Sequence, residues 1–199
     1  MGTNVILDIL GSIVIFGILM LTLFRILDSA TANTYKGSGD LVAQQNLSSI
    51  IQVLEYDLRK IGYCADWKKI PAPNQSILIA DSTKLKFLTD VDEDGDMDSL
   101  FYYLGPTSEL TNTPNPRDRF LYRVTNTEAP VGVNLGVIQF NLAYFNSLGS
   151  QIDFPISVPG EVHSMEIEIA VEDVDAYDQK YSTAFWRQIR LAARNLRNR

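Results

Sequence analysis

The sequence is poor in the residues from which most active sites and metal centres are built. Its 199 residues include one cysteine, Cys64, and one histidine, His163. A single cysteine excludes an internal disulfide and any zinc site made of paired thiolates, and a single histidine excludes the two-histidine metalloprotease helix. No G-x-S-x-G nucleophile turn occurs. His163, between Val162 and Ser164 at the start of a strand-like run, reads as an ordinary strand-end residue. The chain is therefore expected to be non-enzymatic, and an anchored hydrolase has no supporting constellation.

Charge is missing where its absence matters most. No charged residue lies between Ile9 and Phe24, and no Lys or Arg precedes Asp8. Basic residues are scarce through the middle as well. The whole chain carries a net charge of -7, the first 34 residues hold only Asp8, Arg25 and Asp28, and the last thirteen carry five arginines and no acid, which leaves the stretch 35–186 at -11. So acidic a middle repels phosphate backbones, and nucleic-acid binding is not expected. Hydrophobic residues at 46% and charged residues at 21% are the proportions of a folded globular chain.

The uncharged run extends outward to Val5 and Leu27. Twenty-three helical residues span about 35 Å, enough for the hydrocarbon of a bilayer. Without a basic n-region the segment reads as a retained anchor, not a cleaved secretory signal. After a polar stretch with Gly37 and Gly39, the residues Leu47, Ile50, Ile51, Leu54, Leu58 and Ile61 recur at the spacing of one helical face, and Gly62 stands where a helix stops. We expect one helical arm from Asn4 to Ile61, lipid-embedded in its first half, amphipathic in its second and loosened around Gly37 to Gly39.

Beyond Gly62 the period becomes that of strands. Ser76–Ala80, Lys84–Thr89, Ser99–Leu104, Arg119–Val124, Val137–Asn146, Ser164–Val171 and Tyr181–Leu191 are short runs rich in β-branched and aromatic residues between Gly, Pro, Asn and Asp clusters. Met165, Ile167, Ile169 and Val171 alternate with Glu166, Glu168 and Ala170, the pattern of a strand with one buried face. The expected fold is α+β: a long N-terminal helix packed on an antiparallel sheet. The expected organisation is a membrane and assembly helix over 1–34, an amphipathic continuation over 35–62 and a β-rich head over 63–199.

One local motif carries chemistry. In Asp90-Val91-Asp92-Glu93-Asp94-Gly95-Asp96-Met97-Asp98, alternate aspartates turn their oxygens toward one centre and Gly95 permits the sharp turn, which is how calcium loops are built. Six acids in nine residues repel one another unless a divalent cation intervenes. The twelfth position of a helical calcium loop, where a bidentate Glu belongs, is Phe101, and both flanks read as strands. We therefore expect a structural Ca2+ site between two strands, with Asp90, Asp92, Asp94 and Asp98 as side-chain ligands and Asp96 giving its carbonyl; the alternative is a solvated acidic hairpin tip. A second acidic group, Glu172, Asp173, Asp175 and Asp178, lacks this spacing and reads as a solvated loop. Cys64 reads as a small buried thiol at the helix exit. Tyr102, Tyr103, Tyr122 and Tyr144 read as packing residues. Asp8 is either a functional carboxylate at the lipid edge or a plain interfacial residue.

This order of features resembles type IV pilins and type II secretion pseudopilins. Four segments resemble, more specifically, the PilW-type minor pilins and J-type pseudopilins: Gln45–Tyr63 (QNLSSIIQVLEYDLRKIGY), Phe87–Tyr103 (FLTDVDEDGDMDSLFYY), Val137–Gly149 (VIQFNLAYFNSLG) and Phe185–Arg197 (FWRQIRLAARNLR). The leader departs from that family: only Gly2 precedes Thr3, and Asp8 is the acid nearest to the family's glutamate position. The resemblance implies a structural subunit of an extracytoplasmic filament or secretion pseudopilus. It would assemble with copies of itself or other pilin-like subunits through its helix, with Asp8 meeting a neighbour's amine or Arg25. The rival expectation is a membrane-anchored, calcium-dependent binding or adhesion module that forms no filament. Either way, a loop lacking its closing Glu fills only at millimolar calcium, which places the head in the periplasm or outside the cell, anchored to the inner membrane or carried in a surface filament.

Overall fold

The computed structural model of the chain describes residues 2–72, 75–175 and 180–191. A single helix, α1 (Gly2–Arg59), is followed by seven strands: β1 (Ile77–Ala80), β2 (Lys84–Thr89), β3 (Asp98–Leu104), β4 (Arg119–Thr125), β5 (Val131–Phe145), β6 (Ser164–Glu172) and β7 (Thr183–Leu191). The strands form one antiparallel sheet in sequential order, each hydrogen-bonded to the next in the chain. The sheet curls around the C-terminal half of α1, giving the α+β, pilin-like architecture expected from the periodicity.

The helix meets two different surroundings. From Val5 to Leu27 its large apolar side chains are exposed all round. That segment is long and apolar enough to cross a membrane. From Ala43 onward one stripe is covered: Ala43, Leu47, Ile50, Leu54, Leu58 and, just past the helix, Ile61 are buried against Leu85, Phe87, Leu100, Phe140, Ile167 and Ile169 of the sheet. Each Leu or Ile so buried contributes roughly 1.5–3 kcal/mol. The helix ends at Arg59 and the chain turns away at Gly62, whose φ of 72° is readily adopted only without a Cβ; the Lys60 carbonyl accepts from Tyr63 N at 2.7 Å and from the Thr89 hydroxyl at 3.0 Å.

The expected loosening at Gly37–Gly39 is not found, since α1 runs through it unbroken. Gly39 serves close approach. A Cβ there would stand 2.6 Å from Asp173 Oδ2 and 3.1 Å from Ser182 Oγ, so glycine lets the β6–β7 connection touch the helix backbone. That contact and the stripe beginning at Ala43 offset the roughly 1 kcal/mol that each mid-helix glycine costs.

Strand positions follow the sequence closely except in β5, which begins at Val131, six residues before the expected start. Pro130, Gly132 and Gly136 make that stretch read as a loop, but both glycines have tertiary reasons. The Tyr122 ring leans onto Gly132, where a Cβ would meet Tyr122 Cε1 at 2.6 Å. Gly136 (φ 71°) sits beside an irregularity in the β5–β6 register and leaves room for the Glu172 carbonyl, which would lie 2.0 Å from a Cβ. β7 begins at Thr183, two residues later than expected. Arg194, Asn195 and Leu196, which complete the closing segment of the family resemblance, lie outside the described residues, as does Asp178.

The tightest of these approaches gives a prediction. Gly136→Ala puts a Cβ against a backbone oxygen and forces a left-handed φ on alanine, so it should destabilise the head by at least about 2 kcal/mol. Denaturant unfolding of the full chain in detergent measures this, and Gly37→Ala, with nothing within 4 Å of its Cβ position, is the control expected to be neutral or slightly stabilising.

Candidate metal centre

The acidic segment forms the hairpin loop between β2 and β3, closed by the pairing of Thr89 with Asp98. Its turn uses two left-handed residues, Glu93 (φ 66°) and Gly95 (φ 85°). The loop lies against the segment by which the chain leaves α1. Asp90 N donates to Tyr63 O at 2.9 Å, Gly62 N donates to Leu88 O at 2.7 Å, and Cys64, a buried thiol as expected, donates to Gly95 O at 3.4 Å. Lys60 pairs with Glu93 at 3.0 Å, and Lys69 pairs with Asp96. Two of the six acids are thus compensated by lysines of the helix exit, a relief of repulsion that the spacing alone did not reveal.

Among the described residues, one group of carboxylates converges closely enough to hold a metal ion: Asp90, Asp92 and Asp98, with ligand atoms all within 4.8 Å of one another. A carboxylate offers about four lone-pair sites. Asp90 is the most heavily used, accepting from Glu93 N (2.7 Å) on Oδ1 and from Ala65 N and Gly95 N (both 3.0 Å) on Oδ2, with the Asp94 N–H also acting on it. Asp98 uses two, accepting from Asn126 Nδ2 (2.6 Å) and Val91 N (3.0 Å). Asp92 uses one, accepting from Asp94 N (3.3 Å). Three anionic oxygens held in place by backbone donors suit a hard divalent cation, which would complete its shell with carbonyls and water. Of the other two expected ligands, Asp94 turns one oxygen to Asp96 N at 2.7 Å, and the Asp96 carboxylate faces Lys69; both side chains are exposed and lie outside the converging group.

Electrostatics set the charge state of the most buried member. The Ala65 N–H, followed by those of Gly95 and Glu93, holds the Asp90 carboxyl below its ordinary value of 3.8 despite its burial.

Asp8 and Arg25 both lie on the exposed arm, separated by about 25 Å of helix, so they cannot pair within one chain. His163 is half-buried, and its backbone N–H extends the β5–β6 pairing by donating to Phe145 O. The second acidic group is only partly solvated. Glu172 is buried, accepts from Asn115 Nδ2 at 3.0 Å and pairs with Arg117 at 3.0 Å, because the 113–118 loop folds over the end of β6.

The sequence reading missed the main polar node between helix and sheet. Asp57 projects from the buried stripe of α1, receives the Tyr102 hydroxyl of β3, and accepts from Arg123 Nε of β4 at 2.8 Å. Burial, with the Asp57 carboxylate alongside, pushes the Tyr102 phenol up, so the hydroxyl stays protonated as a donor. The available signal was an acid three residues after Leu54, on the apolar face. Tyr144 is likewise buried, donating to Asp81 O at 3.0 Å, and Tyr103 stacks on Tyr122 with ring centroids 4.9 Å apart.

No family model and no curated protein matches the chain.

Two predictions follow from these contacts. Asp57→Ala strands a guanidinium and a buried hydroxyl and should cost about 2–4 kcal/mol, whereas Tyr102→Phe, which leaves the Asp57–Arg123 pair intact, should cost about 1–2 kcal/mol; equal losses in urea unfolding would contradict this division. The depressed Asp90 carboxyl contributes stability that is complete above pH 3.8 and is lost as pH falls through its lower folded value. Asp90→Asn should therefore be less stable at neutral pH and show a flatter acid limb below about pH 4, read from thermal midpoints across a pH series.

Proposed function

We propose that this chain is a membrane-anchored, non-enzymatic module of pilin-like architecture whose extracytoplasmic head presents a calcium-dependent binding or adhesion surface. The observation that carries this reading is the convergence of Asp90, Asp92 and Asp98 at the end of the head remote from the apolar arm. Asp90, Asp92 and Asp98 would hold the ion through side-chain oxygens. Its contribution would be charge neutralisation and loop order, since the same loop closes the β2–β3 hairpin and receives the helix exit. A site with three carboxylates and no bidentate glutamate suits the millimolar calcium found outside the cytoplasm.

A second reading is favoured by a separate observation. Besides the arm, the outer face of the docked half of α1 leaves Leu41, Val53 and Tyr56 uncovered, at 70%, 50% and 58% exposure. Helix packing between neighbouring copies would cover both surfaces, as expected of a structural subunit of a filament or secretion pseudopilus of the PilW or J type. In that assembly Asp8 would meet a neighbour's amine or Arg25.

Calcium should raise the thermal midpoint of the full chain in detergent, by about 2.7 kcal/mol of stability at one hundred times its dissociation constant. Asp92→Ala should remove most of the response, and Asp175→Ala should leave it intact. An unchanged midpoint at millimolar calcium returns the loop to a solvated hairpin tip. Purified surface appendages separate the two readings: this chain in ordered fibres supports the filament subunit, and a dispersed membrane protein supports the anchored module.

A further inference from the structure

We propose that the outer face of strands β2, β3 and β4 binds a carboxylate-bearing polysaccharide; this names a partner for the binding surface proposed above and rests on that reading. Strand alternation divides the residues between two faces. Leu85, Phe87, Leu100, Tyr102 and Leu121 are buried toward α1, so Lys84, Lys86, Phe101, Tyr103, Phe120 and Tyr122 project from the opposite side. The aromatic members form a continuous row. Ring centroids lie 4.9 Å apart for Phe101 and Tyr103, 4.9 Å for Tyr103 and Tyr122, and 5.8 Å for Tyr122 and Phe120.

Cross-strand ring pairs stabilise a sheet, which accounts for Tyr103 against Tyr122. It does not account for the lysines beside them. Lys84 and Lys86 stand directly across the β2–β3 ladder from Tyr103 and Phe101, and Lys86 has Ile79 of β1 on its other side. Among the described residues neither ammonium forms an ion pair or a hydrogen bond, and Asp81, across the β1–β2 turn from Lys84, gives its carboxylate to Ser82 N at 2.6 Å. β2 is an inner strand, so these lysines do not serve to blunt a sheet edge. The Tyr103 hydroxyl, between the lysines and Tyr122, is likewise without a hydrogen bond among the described residues.

The row is held in place. The Tyr122 ring leans onto Gly132 and Gly105, where a Cβ would stand 2.6 and 2.9 Å from it, and its hydroxyl donates to Glu109 Oε2 at 2.8 Å. Side chains fixed in advance lose little conformational entropy when a ligand arrives.

Ring and ammonium recur as a unit, which selects the ligand. Phe101 beside Lys86 is followed two residues along the ladder by Tyr103 beside Lys84, about 6.8 Å away. A uronate polysaccharide repeats in the same way. The C–H groups of its pyranose rings rest on the aromatic row, its hydroxyls meet the free Tyr103 hydroxyl, and its carboxylates meet the ammoniums. Single-stranded nucleic acid also repeats rings and charges, but its binding draws on many cations at once, and two lysines on so acidic a head do not supply them. The Tyr103 ring is also packed against two other rings, which leaves a base little open face to stack on.

The test uses the full chain in detergent with millimolar calcium, on biosensors coated with polygalacturonate or polymannuronate, with the methyl ester of each polymer, or with single-stranded poly(dT). We expect at least one uronate polymer to bind about tenfold more tightly than its neutral ester and than poly(dT). Lys84→Gln/Lys86→Gln should erase the preference for acid over ester while the thermal midpoint and calcium response stay unchanged. Tyr103→Ala should weaken acid and ester alike by about tenfold, and Tyr103→Phe, which keeps the ring contacts and removes only the free hydroxyl, should weaken them by about threefold. Failure of both uronate polymers to bind, equal binding of acid and ester, tighter binding of poly(dT), or a preference that survives the lysine substitutions overturns the proposal. A calcium-induced rise in thermal midpoint without polymer binding removes this inference alone. Polymer binding with an unchanged midpoint removes the calcium part of the reading above and leaves this inference standing.

Discussion

α1 presents two apolar surfaces that need different coverings, and the rest of the structure is arranged around that requirement. From Val5 to Leu27 the apolar residues face every direction, a distribution that no single sheet can cover and that a lipid phase covers without any specific contact. From Ala43 to Leu58 they form one stripe, which the curled face of a seven-stranded sheet covers with residues of alternating burial. The head therefore cannot be separated from the helix without exposing Leu54, Leu58 and the strand residues beneath them. The arm from Val5 to Leu27, by contrast, contributes no residue to the buried cluster among the described residues.

Polar groups fix how the helix is seated once burial has brought it to the sheet. Hydrophobic packing tolerates small slides and rotations, but Asp57 must meet Tyr102 on one strand and Arg123 on the next, which leaves one rotation of the helix and one axial position. The same logic holds at the helix exit. Asp90 is an organising residue before it is a metal ligand: its carboxylate collects amides from Ala65, Glu93 and Gly95, joining the acidic loop to the chain that leaves α1. A cation at Asp90, Asp92 and Asp98 would act on a loop already attached to the helix terminus, so its effect would reach the helix–sheet seating through covalent neighbours only a few residues away.

The head has two polar ends with different character. The far end carries a tight loop of carboxylates partly neutralised by Lys60 and Lys69. The membrane-proximal end carries both acids and lysines beside the apolar arm. A compact loop with converging oxygens suits a small hard ion. The distance between Gly39 and Lys60, about 30 Å of helix, keeps the two from sharing charge at physiological ionic strength.

The sequence by itself determined the elements. An unbroken uncharged run marked the arm, and apolar periodicity marked the stripe from Leu47 to Ile61 and six strands almost to the residue, because burial of one face requires a repeat of 3.6 or 2. The spacing of Asp90, Asp92, Asp94, Asp96 and Asp98 marked the acidic loop as a candidate site, and the fold brings Asp90, Asp92 and Asp98 together. Tertiary structure decided what depends on residues distant in sequence. Gly132 and Gly136 read as loop residues until Tyr122 and the Glu172 carbonyl are placed beside them. Gly39 reads as a helix breaker until Asp173 is seen against it, and Asp57 gains its role only when Tyr102 and Arg123 close over it. The lysines that neutralise Glu93 and Asp96 lie 33 and 27 residues away in the chain, so only the fold could bring them to the loop. Periodicity is a local property that a sequence displays directly, while the partners of a buried charge, or of a glycine that makes room, come from remote segments and become visible only when the chain has folded.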